Sequence, residues 1–394
     1  MSIKKLSLLA IIALYSSSLS AEDYVNIQVM HYSETEEEAT VVAPSIELNM
    51  GIGGGYTLNA NLLTDIVSGA SPTYYDKTYD SVTEASPYSH GTHSPSAYGR
   101  GSHLAQEDIG HGSVDYRDLR YIGGVTITKE FVDKDEASMG FSFSNEHEFR
   151  IPEVSFSYLH YLDKYKNNSL EFSASYQYAQ LNMWCINNTH CDTKSGGSKN
   201  FYQKIFDTQI TYAQNIDKNT IGKISLFGNF ESGELSNPYM NVVRDYYTNP
   251  IILNENRPDS RNGYGVKLSL AKALREDVVW HGNYRYYRDS WDISAHTVES
   301  KIFYKYSDKL TFDGSLRYHS QSKADFYSGK KDYFTDEKYA SSDWRIGDVR
   351  SASISLGVTQ HLSKKLSQNL MFALYDKEHG KTAMLMIAGQ KYKF

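Results

Sequence analysis

Residues 310–319 read LTFDGSLRYH, and this stretch decides the fold class. Apolar or small residues stand at every second position from Leu310 to Tyr318, and polar residues stand between them. A repeat of two residues places one of these sets on each face of a β-strand. The same alternation starts again at Leu170, Ile224 and Val278, and no long stretch has the repeat of an amphipathic helix. The chain is therefore predicted to be all-β.

The connections between the predicted strands sort by length. The pattern predicts about sixteen strands, at residues 24–33, 41–50, 55–67, 114–130, 138–147, 152–162, 169–182, 200–215, 220–231, 262–274, 278–290, 294–306, 309–321, 344–361, 366–377 and 381–394. The joins that follow odd-numbered strands include every long one, at 68–113, 183–199, 232–261 and 323–343. The joins that follow even-numbered strands are tight turns, at 51–55, 133–136, 164–168, 217–219, 275–277, 307–309 and 363–365. Short periplasmic turns that alternate with longer external loops are typical of outer-membrane barrels. The sequence therefore predicts a transmembrane antiparallel β-barrel, and a soluble all-β protein with one wet face is the alternative.

Both ends of the chain favour the barrel. Lys4 and Lys5 precede the apolar run 6–14 and the small-residue tract 16–21, which predicts a secretory signal peptide over residues 1–21. Cleavage after Ser20 or after Ala21 would start the mature chain close to Glu22, and residues 22–394 are predicted to form a single barrel domain. The final strand ends in an aromatic residue, Phe394, which resembles the signal read by the barrel-assembly machinery. We therefore expect residence in the outer membrane of a Gram-negative bacterium, with its lipid and the assembly machinery as partners.

Composition points the same way. The 33 tyrosines suit a protein that meets two membrane–water interfaces. The net charge of −7 supplies no broad basic surface, so no nucleic-acid partner is expected.

Five short motifs carry a resemblance to a known family. They are Ser68–Pro72 after Asp65, Ser236–Tyr239, Tyr286–Trp291 followed by His296, Arg317–Ser322 leading to Ala324–Tyr327, and Ser341–Asp343. From about Val41 to its C-terminus the chain resembles domain-of-unknown-function family 3570, a family of outer-membrane barrels. The resemblance implies a single barrel domain in the outer membrane, and it implies no activity. The His-rich insert at 90–111 and the loop that holds the two cysteines lie outside the family pattern.

Two of the long loops contain residues with distinctive chemistry. Cys185 and Cys191 share one loop of a chain exported to an oxidising compartment, which predicts a disulfide, with a thiol metal site as the alternative. The 68–113 loop carries four histidines, His90, His93, His103 and His111. Imidazoles so spaced suit Zn or Cu, but a Gly-rich external loop without fixed geometry is the competing interpretation. A loop of this length either stays outside or folds inward and narrows the lumen.

The family motifs concentrate at the external ends of neighbouring strands. The predicted rim cluster is Arg288, Asp289, Trp291, His319, Asp325 and Asp343. Mixed charges at a rim either hold loops together or bind a small polar ligand. The predicted inward-facing residues include Glu299, Lys301, Asp313 and Arg317, so the lumen should be polar and of both signs.

These features favour a porin-like channel or transporter for small hydrophilic solutes, because a barrel of about sixteen strands encloses an aqueous channel unless something fills it. The alternative function is a non-conducting scaffold or docking barrel for a periplasmic, surface or lipoprotein partner. A rim-sited hydrolase is the third alternative, but no nucleophile motif of recognised spacing is present, so we expect neither enzymatic activity nor a cofactor.

Overall fold

The computed structural model describes residues 22–35, 39–72, 113–146, 149–185, 197–237, 240–330, 332–377 and 381–394. Within these ranges sixteen strands form one closed antiparallel barrel, and two short strands form a separate sheet. The barrel strands are β1 (Tyr24–Glu34), β2 (Thr40–Gly53), β3 (Tyr56–Pro72), β4 (Ser113–Glu130), β5 (Glu136–Asn145), β6 (Phe149–Tyr161), β7 (Asn168–Cys185), β8 (Gly197–Asp217), β9 (Thr220–Gly233), β12 (Ser260–Arg275), β13 (Val278–Asp289), β14 (Ser294–Ser307), β15 (Leu310–Gln321), β16 (Val349–His361), β17 (Leu366–Lys377) and β18 (Lys381–Lys393), and the separate sheet pairs β10 (Asn241–Arg244) with β11 (Ile251–Asn254). The predicted fold class and strand number are confirmed. Among the described residues, none forms a helix long and apolar enough to span a membrane.

The first and last strands close the barrel. β1 pairs antiparallel with β18 over its whole length, from Tyr24 opposite Lys393 to Glu34 opposite Ala383. The backbone N–H of Phe394 donates to the carbonyl of Asp23 at 3.1 Å, one step beyond the paired register. Closure leaves no barrel edge on which another chain could add a strand.

The outward face of the barrel is apolar. Large side chains such as Leu226, Leu316 and Leu356 lie exposed on this face, where water would not favour them. Exposed outward tyrosines lie near both ends of the wall, among them Tyr121, Tyr178, Tyr202, Tyr264 and Tyr318 toward the long loops and Tyr56, Tyr158, Tyr304, Tyr306 and Tyr392 toward the short turns. An apolar band between two aromatic girdles is the surface that a barrel presents to lipid.

Short turns join the strands at one end. Between β2 and β3, residues Gly53, Gly54 and Gly55 all have positive φ, which glycine adopts without steric cost. A Cβ on Gly55 would lie 2.7 Å from the carbonyl oxygen of Glu130, so this position also needs a small residue for close approach. All seven predicted tight turns are present, and their bounds agree with the prediction within three residues.

Several sequence-based boundaries were wrong, among them these three at the long loops. β16 begins at Val349 instead of residue 344, because a 3-10 turn at Trp344–Ile346 precedes it and the Asp343 side chain caps this turn. The 68–113 connection is shorter than expected, since β3 continues to Pro72 and β4 starts at Ser113. The 232–261 connection contains the β10–β11 hairpin, whose Val242 and Val243 are buried against other loop residues.

Candidate functional site

Two long loops pack together at one end of the barrel. We call them the paired loops, residues 234–259 between β9 and β12 and residues 322–348 between β15 and β16. Asn256 and Ala340 exchange both backbone hydrogen bonds, at 3.0 and 2.9 Å, and Arg244 bridges to Phe334. The loops are therefore joined by backbone pairing as well as by side chains.

A buried group of four charges lies between the paired loops. Arg257 forms ion pairs of 2.6 Å with Glu255 on its own loop and with Asp343 on the other, and all three side chains are at most 1% exposed. Arg345 adds a second guanidinium to Asp343, at 2.6 Å through Nε and 2.5 Å through Nη2. Glu255 also accepts the backbone N–H of Asn237. Two carboxylates and two guanidiniums balance in charge, which is what burial of such groups requires.

The pKa values of the two buried carboxylates, Asp343 and Glu255, shift in opposite directions. Burial alone would raise the pKa of Asp343, but the guanidiniums of Arg345 and Arg257 outweigh it and hold that pKa well below its usual range. Burial raises the pKa of Glu255, and the opposing effects of Arg257 and of the hydrogen bonds from Ser341 and Asn237 do not outweigh it. Asp343 is therefore the ionised centre of the group.

An aromatic core lies next to these charges. Trp291, on the β13–β14 turn, is 2% exposed and packs edge-on against Phe326 at 5.1 Å. Its indole N–H donates to the carbonyl of Ser260 at 2.9 Å, and the guanidinium of Arg261 lies over its ring at 4.6 Å. Leu235, Ile293 and Ile346 complete the core with Ala324 and Tyr327. The core thus joins the paired loops to the barrel rim.

Asp289 fixes the β13–β14 turn. Its Oδ1 accepts the backbone N–H groups of Trp291 and Ile293, at 2.9 and 3.1 Å. Its Oδ2 accepts from Arg261 at 2.6 Å and from the hydroxyl of Tyr287 at 3.0 Å. Every one of these contacts is structural, and together they hold Trp291 over the wall of the barrel.

Only part of the predicted rim cluster comes together. Asp289, Trp291 and Asp343 all lie in or beside the buried core. Arg288 points outward and pairs with Asp292 at 3.4 Å, and Asp325 is exposed. His319 lies inside the wall of β15, with its Nδ1 2.9 Å from the hydroxyl of Thr297.

Sequence reasoning missed three members of this site, Glu255, Arg257 and Arg261. They lie in the predicted 232–261 connection, beyond the motif at residues 236–239. The two nearby family motifs were the available signal, since one contributes Asn237 and the other Asp343.

The inward face of the wall carries the second set of predicted residues. Glu299 and Lys301 alternate with the exposed Val298 and Ile302 on β14, so they face the lumen. Asp313 and Arg317 alternate with Phe312 and Leu316 on β15. Lys301 and Asp313 form an ion pair of 3.0 Å across the two strands.

The inward charges divide into sectors. On β5 to β8 the described inward charges are all acidic: Glu136, Glu153, Glu171 and Asp207. The inward cations lie mainly on β9 and β12 to β15: Lys223, Arg261, Lys267, Arg285, Lys301 and Arg317. A polar solute in the lumen would therefore meet groups of both signs.

Several predicted residues lie outside the described part of the chain. They include His90, His93, His103, His111 and Cys191, while Cys185 is described only as the last backbone position of β7. The histidine site and the disulfide therefore stay predictions. Phe394 is described, with its side chain half exposed.

The family match covers nearly the whole chain. The model of the family described as "Protein of unknown function (DUF3570)" matches residues 6–394. The chain belongs to this family. No curated protein matches this DUF3570 chain.

The solved structures similar to this DUF3570 protein are barrels. One is described as "Bacterial polysaccharide outer membrane secretin" (TM-score 0.47, 6% identity, covering 96% of this chain and 100% of that one). Others are described as "CymD monoaromatic hydrocarbon channel" (TM-score 0.44, 8% identity, 95% and 89%) and as the toluene transporter TodX of Pseudomonas putida (TM-score 0.40, 8% identity, 96% and 90%). At this identity the likeness concerns the fold alone.

Proposed function

We propose that this DUF3570 protein is an outer-membrane channel of a Gram-negative bacterium that passes small hydrophilic solutes. The observation that carries the proposal is the contrast between the two faces of one closed wall. The outward face is apolar between tyrosine girdles, and the inward face carries carboxylates, ammonium groups and guanidiniums. Barrels of this strand number are wide enough for an aqueous lumen, and buried charges without water would be costly.

The paired loops support a bracing role at the mouth of this channel. The carboxylates of Asp289 and Asp343 are each saturated by guanidiniums, backbone N–H groups or a hydroxyl of the protein itself. A carboxylate held in this way is a poor ligand for an incoming solute and a poor general base. The arrangement therefore favours loop attachment over the small-ligand site and over the rim-sited hydrolase.

A liposome-swelling assay tests the proposal. Purified protein is reconstituted, and its folded state is checked by faster migration of the unboiled sample on a gel. Liposomes that contain it should swell in isotonic solutions of neutral sugars, at rates that fall with sugar size, while liposomes with heat-denatured protein should not. A folded barrel that gives no swelling with any sugar would refute the channel and favour the scaffold.

A further inference from the structure

The inward face of the wall holds four cations in a compact strip. We call Lys223, Lys267, Arg285 and Arg317 the basic strip. Lys267 on β12 stands directly opposite Arg285 on β13, and Lys223 on β9 stands opposite Ser269, the next inward position on β12. Arg317 on β15 stands opposite Glu299 on β14, which in turn stands opposite Asn283, the next inward position on β13. The strip therefore occupies two adjacent rows of the wall.

Carboxylates in the described part of the chain relieve the repulsion within the strip only in part, through Glu171 near Lys223 and Glu299 near Lys267. Like charges directly opposite each other on paired strands are destabilising. Within the described ranges, none of the four cations forms an ion pair of 4.0 Å or less, and Glu299 is the one carboxylate inside the strip. Asp313, the next nearest on β15, is already paired with Lys301 at 3.0 Å. An arrangement of this kind has an excess of positive charge that an anion would balance.

Arg285 is held with its donors available. Its guanidinium lies over the ring of Phe227 at 4.4 Å and over that of Tyr287 at 5.3 Å. Stacking uses the faces of the guanidinium, and within the described residues no acceptor takes its N–H groups. The edge of a guanidinium matches a carboxylate with two parallel hydrogen bonds. Arg285 is also exposed on the inward face, so a solute in the lumen can reach it.

A glycine makes this stack possible. Gly265 stands opposite both Phe227 and Tyr287, whose rings are parallel within 5° at 6.5 Å. A Cβ at this position would lie 2.1 Å from Cζ of Phe227 and 2.3 Å from the carbonyl oxygen of Tyr286. The missing side chain lets the two rings lie against the wall beside Arg285. They form an apolar surface next to a carboxylate-binding group.

We propose that the basic strip binds small organic acids as they pass through the channel. Arg285 binds the carboxylate, and the Phe227–Tyr287 surface contacts the hydrocarbon part. The inference rests on the proposed channel and names its preferred solute class. The strip sets four cations against one carboxylate on one stretch of wall, whereas the described inward charges of β5 to β8 are acidic, so anions are favoured at this site and not by the pore as a whole.

Current through planar bilayers tests the inference, with benzoate as the probe and the neutral isostere benzamide as its control. In symmetrical KCl, benzoate should reduce the current through the wild type while benzamide should not. In R285Q the benzoate effect should weaken by about tenfold or more, since a charge-assisted pair is lost. R285K should lose most of the benzoate effect although it keeps the charge, because an ammonium lacks the guanidinium fork. K391Q removes an inward charge from β18, far from the strip, and should leave benzoate block unchanged.

The outcomes separate the inference from the channel. A conducting pore whose benzoate block is the same in R285Q as in the wild type overturns the inference and leaves the channel intact. A folded barrel that carries no current refutes the channel. Calorimetric titration of the same detergent-solubilised protein with benzoate then decides the site by itself, and equal heats for wild type and R285Q overturn it.

Discussion

Replacing Asp343 with asparagine should release the paired loops while the barrel stays closed. The carboxylate is 1% exposed and accepts from Arg257 at 2.6 Å and from Arg345 at 2.5 and 2.6 Å. Loss of one partner from a buried ion pair costs about 3 kcal/mol at the lower end of measured values. A change of about 3 kcal/mol raises the open fraction of the loops by roughly 150-fold.

Limited trypsin digestion measures this opening, since Lys338 lies exposed on the second of the paired loops. When the loops reclose faster than trypsin cuts, the cleavage rate follows the open fraction. The cleavage rate at 322–348 should therefore rise about 100-fold or more in D343N. D336N is the matched control, because Asp336 is an exposed carboxylate on the same loop and should leave the rate unchanged. Equal rates in D343N and the wild type would refute the view that the buried charges hold the loops together.

Three further predictions concern pH, packing and assembly. The pKa of Asp343 is held below its usual range, so its ionised form stabilises the loops fully at a pH above the ordinary aspartate pKa of about 3.9, and this stabilisation is lost as the pH falls through the lowered pKa. The difference in pepsin cleavage rate between D343N and the wild type should therefore shrink on acidification. A difference that stays constant would contradict this prediction. G265A should lower the temperature at which the protein loses its fast migration on a gel, since the added Cβ would clash with Phe227 and with the backbone. G314A is the control and should not lower it, because the nearest atom to its Cβ, on Leu356, lies at 3.4 Å. Equal temperatures for G265A and the wild type would show that the stacked rings relax freely. Deleting Phe394 should reduce the amount of protein in the outer membrane while export continues, because β18 closes the barrel against β1, and unchanged outer-membrane levels would argue against an assembly signal.

The strand pattern was readable because each wall residue obeys a local rule. Leu316 and Arg317 are neighbours in sequence, and they lie on the outward and the inward face of the wall. Alternation of apolar and polar residues in the sequence therefore identifies the two faces directly. Residues that favour turns, such as Gly53–Gly55, indicated where the strands end. These signals need no knowledge of distant residues.

The site between the paired loops could be predicted only in part, because it depends on contacts between distant parts of the chain. Arg257 and Asp343 are 86 positions apart, and neither loop alone reveals that the other supplies its partner. The β10–β11 strands are four residues each, too short for alternation to register. Trp344–Ile346 continues an apparent strand pattern, but the Asp343 cap turns it into a 3-10 helix.

Sequence alternation identifies the residues that face the lumen. Which of these residues lie next to each other follows only from the register of the paired strands. Alternation puts Lys267 and Arg285 on the inward faces of their strands, but only strand pairing places them opposite each other. Likewise, Gly265 has no sequence signal of its own until Phe227 and Tyr287 are seen on either side of it.

The most direct test of the central claim is the single-channel conductance of the purified, folded barrel in a planar bilayer with symmetrical KCl. We expect discrete, uniform current steps that scale with salt concentration, because the closed wall encloses a polar lumen. A preparation that migrates as a folded barrel and inserts into the bilayer, yet gives no steps at any salt concentration, would contradict it.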